Sequence, residues 1–196
     1  MTEIPLTEIV PRIYQFSCLT ATEAQSALQQ ARQISAWQTA PIRRGKDSSH
    51  ELNEEFRSAK EIICAQVAPA LSELEAKVHG MAAQVGAQLS SSPLELSELR
   101  LVRYDEGGYF KAHSDTGPGD RRHFAIVVYL NDDFQGGATI FPLANCRVLP
   151  ESGKAVVFEA NRLHRADVIQ SGTKYIAVMW LLESVCKVIE LPIFAA

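Results

Sequence analysis

From Pro93 onward the sequence breaks into short runs of strand-forming residues: 99–104, 108–114, 124–130, 138–141, 155–159, 163–168 and 175–182. Glycine, asparagine or aspartate stands in most of the gaps, at Gly107, Gly119, Asn131-Asp132-Asp133, Gly136-Gly137, Gly153 and Gly172. These are the residues that tight turns between strands require. Seven or so short strands punctuated in this way predict a β-sandwich or jelly roll.

The first half of the chain reads differently. Residues 4–18 carry two prolines within short apolar alternation, which suits a strand at a sheet edge. Thr20 and Glu23 have capping-box spacing and predict a helix over 21–35, with Leu28 and Ile34 as a modest apolar face. Residues 37–56 are polar and irregular, including Arg43, Arg44, Gly45 and Lys46. A solvated loop and a mobile lid that sets specificity are both open readings for this stretch. Ser58 and Glu61 repeat the capping-box spacing and predict a further helix that Pro69 interrupts. Leu71, Leu74, Val78, Met81, Val85 and Leu89 then recur at helical steps, and this stripe is expected to bury against a sheet. His79 lies within that helix and reads as an exposed or hydrogen-bonded side chain. The expected fold is α+β: a jelly-roll core over about 93–183, with N-terminal helices over about 1–92 packed against one sheet. No linker or repeat divides the chain, so residues 1–196 are expected to form one domain.

Composition narrows the function. A net charge of −4 and a pI of about 5.7 provide no basic field for nucleic acid or an anionic membrane surface. No apolar run reaches the length of a membrane span, and the opening MTEIPLTEIV lacks the basic start and apolar core of a signal peptide. Cys18, Cys64, Cys146 and Cys186 are scattered without a C-x-x-C pair, as expected of reduced thiols in a cytoplasmic protein and not of a cysteine-ligated zinc site.

The chemistry is concentrated in the stretch YDEGGYFKAHSDTGPGDRRH, residues 104–123, with His113 and Asp115 two positions apart. On an extended strand such residues point the same way. His164 lies far downstream in NRLHRAD. Two histidines and one carboxylate with other positions open describe the facial triad of non-haem Fe(II) oxygenases. An H-x-D dipeptide alone is weak, and a His113–Asp115 hydrogen bond at a loop end is the simpler alternative.

The surrounding blocks carry more weight. RYDEGGYFKAHSD, RRHFAIVVYLND, GGATIFP, PESGKAVVF and LHRADVIQSGTKYIAVMWL occur in the order of the prolyl 4-hydroxylase-like family of Fe(II)/2-oxoglutarate-dependent dioxygenases, which the chain resembles over about residues 99–182. The resemblance implies a double-stranded β-helix, the jelly roll already expected. It implies Fe(II), 2-oxoglutarate and O2 as cofactors, with ascorbate as an optional addition. It casts His113, Asp115 and His164 as iron ligands and catalytic residues, and Lys174 as the partner of the distal carboxylate of 2-oxoglutarate. Tyr129 and Tyr104 match co-substrate-facing tyrosines, and Arg122 matches a substrate contact. Trp180 fits the pattern as a packing residue. The plainer alternatives are a turn-flanking lysine, core aromatics and a solvated arginine.

Asp115 speaks against halogenation, because related halogenases carry a small residue at that position. Ala125 stands where many members have threonine, and the tail 184–196 has no clear counterpart. The expected activity is hydroxylation of a C–H bond in a prolyl peptide or protein, or in a small amino-acid-like metabolite. A cupin-like metalloenzyme and a non-catalytic 2-oxoglutarate sensor are the rivals. Cupin-like sites usually carry more closely spaced histidines than this chain, where His123 is the only spare one near the triad.

Overall fold

The computed structural model describes residues 3–44, 49–67 and 69–184. Strands β1 (Thr7–Val10) and β2 (Ile13–Ser17) form a hairpin whose turn holds Pro11 and a left-handed Arg12. Helix α1 (Ala21–Gln33) starts at the expected capping box, with Thr20 and Glu23 bonding each other's backbone amides. Its buried face is Ala24, Ala27, Leu28 and Ala31, so small residues form most of it. The polar stretch that follows contains β3 (Gln38–Thr39) and a separate hairpin of β4 (Ile42–Arg44) and β5 (Ser49–Glu51). Of the candidate lid, residues 45–48 lie outside the described residues, as do the tail 185–196 and Cys186.

The helix expected from Ser58 and Glu61 does not form. That segment is β6 (Arg57–Ser58) and β7 (Lys60–Ile63), followed by a short 3₁₀ turn (Cys64–Val67). Glu61 does not cap a helix; its carboxylate bridges Arg57 at 2.9 Å and Arg100 at 2.6 Å. β-branched Ile62 and Ile63 favour the extended chain, which pairs with a neighbouring strand. Helix α2 (Ser72–Leu89) begins only after Pro69, and buries Leu74, Val78, Ala82 and Val85.

The second half is built of β8 (Leu94–Leu96), β9 (Arg100–Tyr104), β10 (Tyr109–His113), β11 (Arg122–Tyr129), β12 (Gln135–Gly136), β13 (Thr139–Phe141), β14 (Cys146–Val148), β15 (Lys154–Glu159), β16 (His164–Ala166), β17 (Ile169–Ser171) and β18 (Lys174–Glu183). The run 163–168 is not one strand: the chain turns after Ala166 and starts again at Ile169. β8, β12 and β14 lie outside the strand runs that the sequence predicts. Among the described residues, nine strands form a major sheet in the order β1-β2-β15-β11-β18-β9-β7-β3, with β8 paired to β18. Five form a minor sheet in the order β14-β13-β16-β10-β6. All of the recorded pairings are antiparallel.

The major sheet has two working faces because side chains alternate along a strand. Phe124, Ile126 and Val128 of β11, with Tyr175, Ala177, Met179 and Leu181 of β18, share a core with the buried faces of α1 and α2. Ala125, Val127 and Tyr129 of β11, with Ile176 of β18, share a second core with Phe141, Cys146 and Val148 of the minor sheet. The space between the sheets therefore has an apolar floor at one end and is left for chemistry at the other. Cys18, Cys64 and Cys146 are buried free thiols, and burial pushes the Cys18 and Cys64 thiols up to about 12, so they are poor nucleophiles. No helix among the described residues is long and apolar enough to cross a membrane.

Leu101 on β9 is fully buried on the helix side, facing away from the space between the sheets. Leu101→Ala is expected to destabilise the fold by about 2–5 kcal/mol, read as a lower urea midpoint with an unchanged slope.

Candidate metal centre

Register in the minor sheet brings the distant histidine home. β10 and β16 run antiparallel with His113 opposite His164 and Phe110 opposite Ala166. Three steps on β10 thus face two on β16, which is a β-bulge. The extra residue turns Phe110 and His113 to the same side, and their rings stack with centroids 3.5 Å apart. The His113 and His164 ring centroids are 4.3 Å apart.

Asp115 reaches the same point by a different route from the one expected. β10 ends at His113, so the i, i+2 pleat of a strand does not aim the carboxylate. The chain bends at Asp115, whose amide donates to the Ala160 carbonyl at 2.8 Å. Side-chain contacts then hold the carboxylate. Oδ1 lies 3.5 Å from His113 Nε2, and Oδ2 lies 3.8 Å from His164 Nε2. The indole N–H of Trp180 donates to Oδ2 at 3.0 Å. One ligand atom from each of His113, Asp115 and His164 falls within 4.8 Å of the others.

The histidines are set up alike. His113 Nδ1 is 2.8 Å from the Lys111 carbonyl, and His164 Nδ1 is 2.9 Å from the Arg162 carbonyl. A carbonyl only accepts, so each Nδ1 carries a proton, and each Nε2 is the ring nitrogen that faces Asp115. Burial holds His164 below its usual pKa, against the pull of Asp115. Burial alone would raise Asp115; His164, His113 and the Trp180 bond outweigh it and leave the carboxyl well below its ordinary range. Two imidazole nitrogens and one carboxylate oxygen, oriented before any ion arrives, suit Fe(II) with open positions.

Lys174 closes the far end of the cavity. It is 1% exposed, and its Nζ donates to the Gly137 carbonyl at 2.6 Å and lies 5.5 Å from the ring centres of both Tyr104 and Tyr129. Burial drives the ammonium down to about 7, with Asp167 partly offsetting it. Gly137 makes this approach feasible: at φ +65°, a Cβ there would sit 2.5 Å from Ile169 and 3.2 Å from Lys174 Cδ.

A cavity of about 170 Å³ joins the two ends, and Tyr104, Arg122, Lys174 and the three candidate ligands all line it. Tyr104 is buried in its wall. Tyr129 is not part of the lining; its hydroxyl bonds Thr139 Oγ1 at 2.8 Å, and Thr139 lines the cavity. Arg122 donates to the Asp115 carbonyl at 2.7 Å and stacks on Trp180 with Cζ 4.3 Å above the ring. His123 points elsewhere, toward Glu183 at 3.1 Å. His79 is half-buried, and its Nε2 has no hydrogen-bond partner.

Several lining residues escaped the sequence reading. Trp180 does more than pack, and alternation from Lys174 through Ile176 and Val178 would have placed it on the cavity face. Arg57, Glu61 and Arg100 form an ion cluster in the wall. No local signal joins residues drawn from β6, β7 and β9.

Residues 99–182 match the family model described as the 2OG-Fe(II) oxygenase superfamily. Within it, a putative prolyl 4-hydroxylase of Acanthamoeba polyphaga mimivirus is 31% identical over 108 residues, covering 44% of this chain and 45% of that protein. The chain thus spans under half of that relative. A Pseudomonas putida prolyl-4-hydroxylase structure superposes with a TM-score of 0.71 at 20% identity, covering 88% of this chain and 93% of the other. A prolyl hydroxylase from Trichoplax adhaerens, solved with a peptide fragment of the hypoxia inducible factor oxygen degradation domain, gives 0.73 at 15% identity, covering 88% and 84%. At these identities the two structures speak for the fold, which is of jelly-roll type. Over residues 99–182 the chain is similar to the 2OG-Fe(II) oxygenase superfamily, and the relatives it resembles there are prolyl 4-hydroxylases.

A buried cation that donates to a carbonyl and not to a carboxylate destabilises the empty fold. Its folded-state value of about 7 lies below the ordinary 10.5, so the unfolded chain binds more protons between those values. The penalty is full below pH 7 and disappears as pH rises through 10.5. Lys174→Met is expected to stabilise the protein at pH 7 by roughly 1–4 kcal/mol, with a gain that shrinks toward pH 10, measured by denaturant unfolding across that range.

Proposed function

We propose that this chain is an Fe(II)- and 2-oxoglutarate-dependent dioxygenase that hydroxylates a C–H bond, with prolyl residues of a peptide or protein as its substrate class. The observation that carries the reading is the convergence of His113, Asp115 and His164 at one end of a cavity whose other end holds the buried Lys174. Prolyl hydroxylation rests on the names of the relatives, and a small amino-acid-like metabolite is the alternative substrate. The catalytic unit is taken as one domain. The free buried thiols suit a reducing, cytoplasmic setting.

In this reading His113, Asp115 and His164 hold the iron, and Lys174 receives the distal carboxylate of 2-oxoglutarate. The bound iron and oxo acid supply the oxidant, and the balance is substrate C–H, O2 and 2-oxoglutarate to C–OH, succinate and carbon dioxide. The chain itself binds, orients and excludes water. Lys174 and the carboxylate each make the other's desolvation tolerable. Tyr104 forms a wall beside that pair, and Tyr129 acts through Thr139. Arg122, at the Trp180 side of the cavity, is the residue assigned to substrate.

Two measurements test this. Anaerobic protein loaded with Fe(II) and 2-oxoglutarate should develop the weak visible charge-transfer band of the chelate, and His164→Ala should lose it along with all detectable succinate release. No band from metal-replete wild type would favour a cupin-like site. A band without succinate release, across prolyl peptides, free amino acids and small metabolites, would favour a sensor.

Affinity for 2-oxoglutarate should depend on pH through Lys174. The groups facing it are the Tyr104 and Tyr129 rings and the Gly137 carbonyl, with Asp167 nearby. A bound carboxylate raises the lysine from its empty-state value of about 7, so binding takes up a proton above that pH. The dissociation constant is expected to rise by up to about tenfold per pH unit above 7. Calorimetry in buffers of different ionisation enthalpy reads the proton uptake, and a flat profile from pH 7 to 9 would count against this role.

A further inference from the structure

Trp180 and Arg122 meet the candidate metal ligand Asp115 from two sides. The Trp180 indole donates to Oδ2 at 3.0 Å, and Arg122 donates to the Asp115 carbonyl at 2.7 Å while stacking 4.3 Å above the same indole. The three residues come from three places: the bend after β10, the start of β11 and the middle of β18. Neighbouring contacts lock each of them. Asp115 is tied through its amide to Ala160, and the Trp180 backbone amide bonds Ser97 Oγ at 2.8 Å. No strand register aims the Asp115 carboxylate, so these bonds decide its direction.

We infer that Trp180 is a positioning residue: its indole N–H engages Oδ2, leaving Oδ1 as the single oxygen that Asp115 offers to the metal. A carboxylate free to rotate can present both oxygens and fill a position that a reacting centre needs open. The indole donor opposes that, and Arg122 holds the indole ring in plane with its task. This rests on the metal-site reading above. The indole makes no contact with the metal itself; it acts through Asp115.

The test is Co(II) binding to the apo protein, read by titration and by the d–d spectrum, in wild type, Trp180→Phe and Trp180→His. Phenylalanine keeps an aromatic face for Arg122 and removes the donor; histidine restores a ring N–H. Trp180→Phe should weaken Co(II) binding about 10- to 100-fold and shift the spectrum, with Trp180→His recovering part of both. Equal affinity and an unchanged spectrum in Trp180→Phe would overturn the inference. Failure of wild type to bind Co(II) would instead sink the metal site. Should the variants not fold, wild-type indole NMR decides, because Trp37 and Trp180 are the only two tryptophans and Trp37→Phe assigns them. The Trp180 N–H signal should be shifted downfield and protected from exchange, and should stay so when Zn(II) is added; loss of protection on adding Zn(II) would refute the inference.

Discussion

The cross-strand pairing of His113 with His164 is the constraint on which the rest of the structure depends. Fifty-one residues apart along the chain, they become neighbours through the register of two short strands, one of them bulged. A register slip of one residue would turn one imidazole to the opposite face of the minor sheet and leave the other alone. The sheet therefore has to be held firmly, and much of the remaining architecture provides that hold. β13 and β6 flank the pair within the minor sheet, and Phe141 and Phe158 pack near His164, with ring centroids 6.1 and 4.6 Å from it.

Stability and chemistry are separated by the two faces of the major sheet. One face has an apolar centre that packs on the helices, where it can supply folding free energy without polar compromise. The other face carries Lys174, Ile176, Val178 and Trp180 in alternation, mixing a buried cation and an indole donor with aliphatic walls. This is why the protein can tolerate an ammonium whose burial costs stability. The penalty falls on a face that is not the main source of the fold's cohesion, and a carboxylate ligand relieves it.

Much of this was legible along the chain. The alternation and glycine punctuation after Pro93 place most strands within a residue or two, because turn residues have local conformational needs. The Thr20–Glu23 capping box locates the start of α1 for the same reason. The identical spacing at Ser58 and Glu61 misleads. There the carboxylate has two arginines to bridge, and the backbone has a strand to join. Tertiary partners outbid a local cap. The alanine face of α1 was likewise invisible, because small residues announce burial only when something packs on them.

The sequence by itself determined which donors exist and that they suit a ferrous ion: two imidazoles, one carboxylate and a distant lysine, in blocks whose order matches one family. It could not determine how they are aimed. The bulge that turns Phe110 and His113 together, the bend that takes Asp115 off its strand and the indole that holds its carboxylate all arise from contacts between segments far apart in the chain. Residue type follows from local chemistry, whereas orientation at a site is set by long-range packing and hydrogen bonding, and only the folded structure contains those.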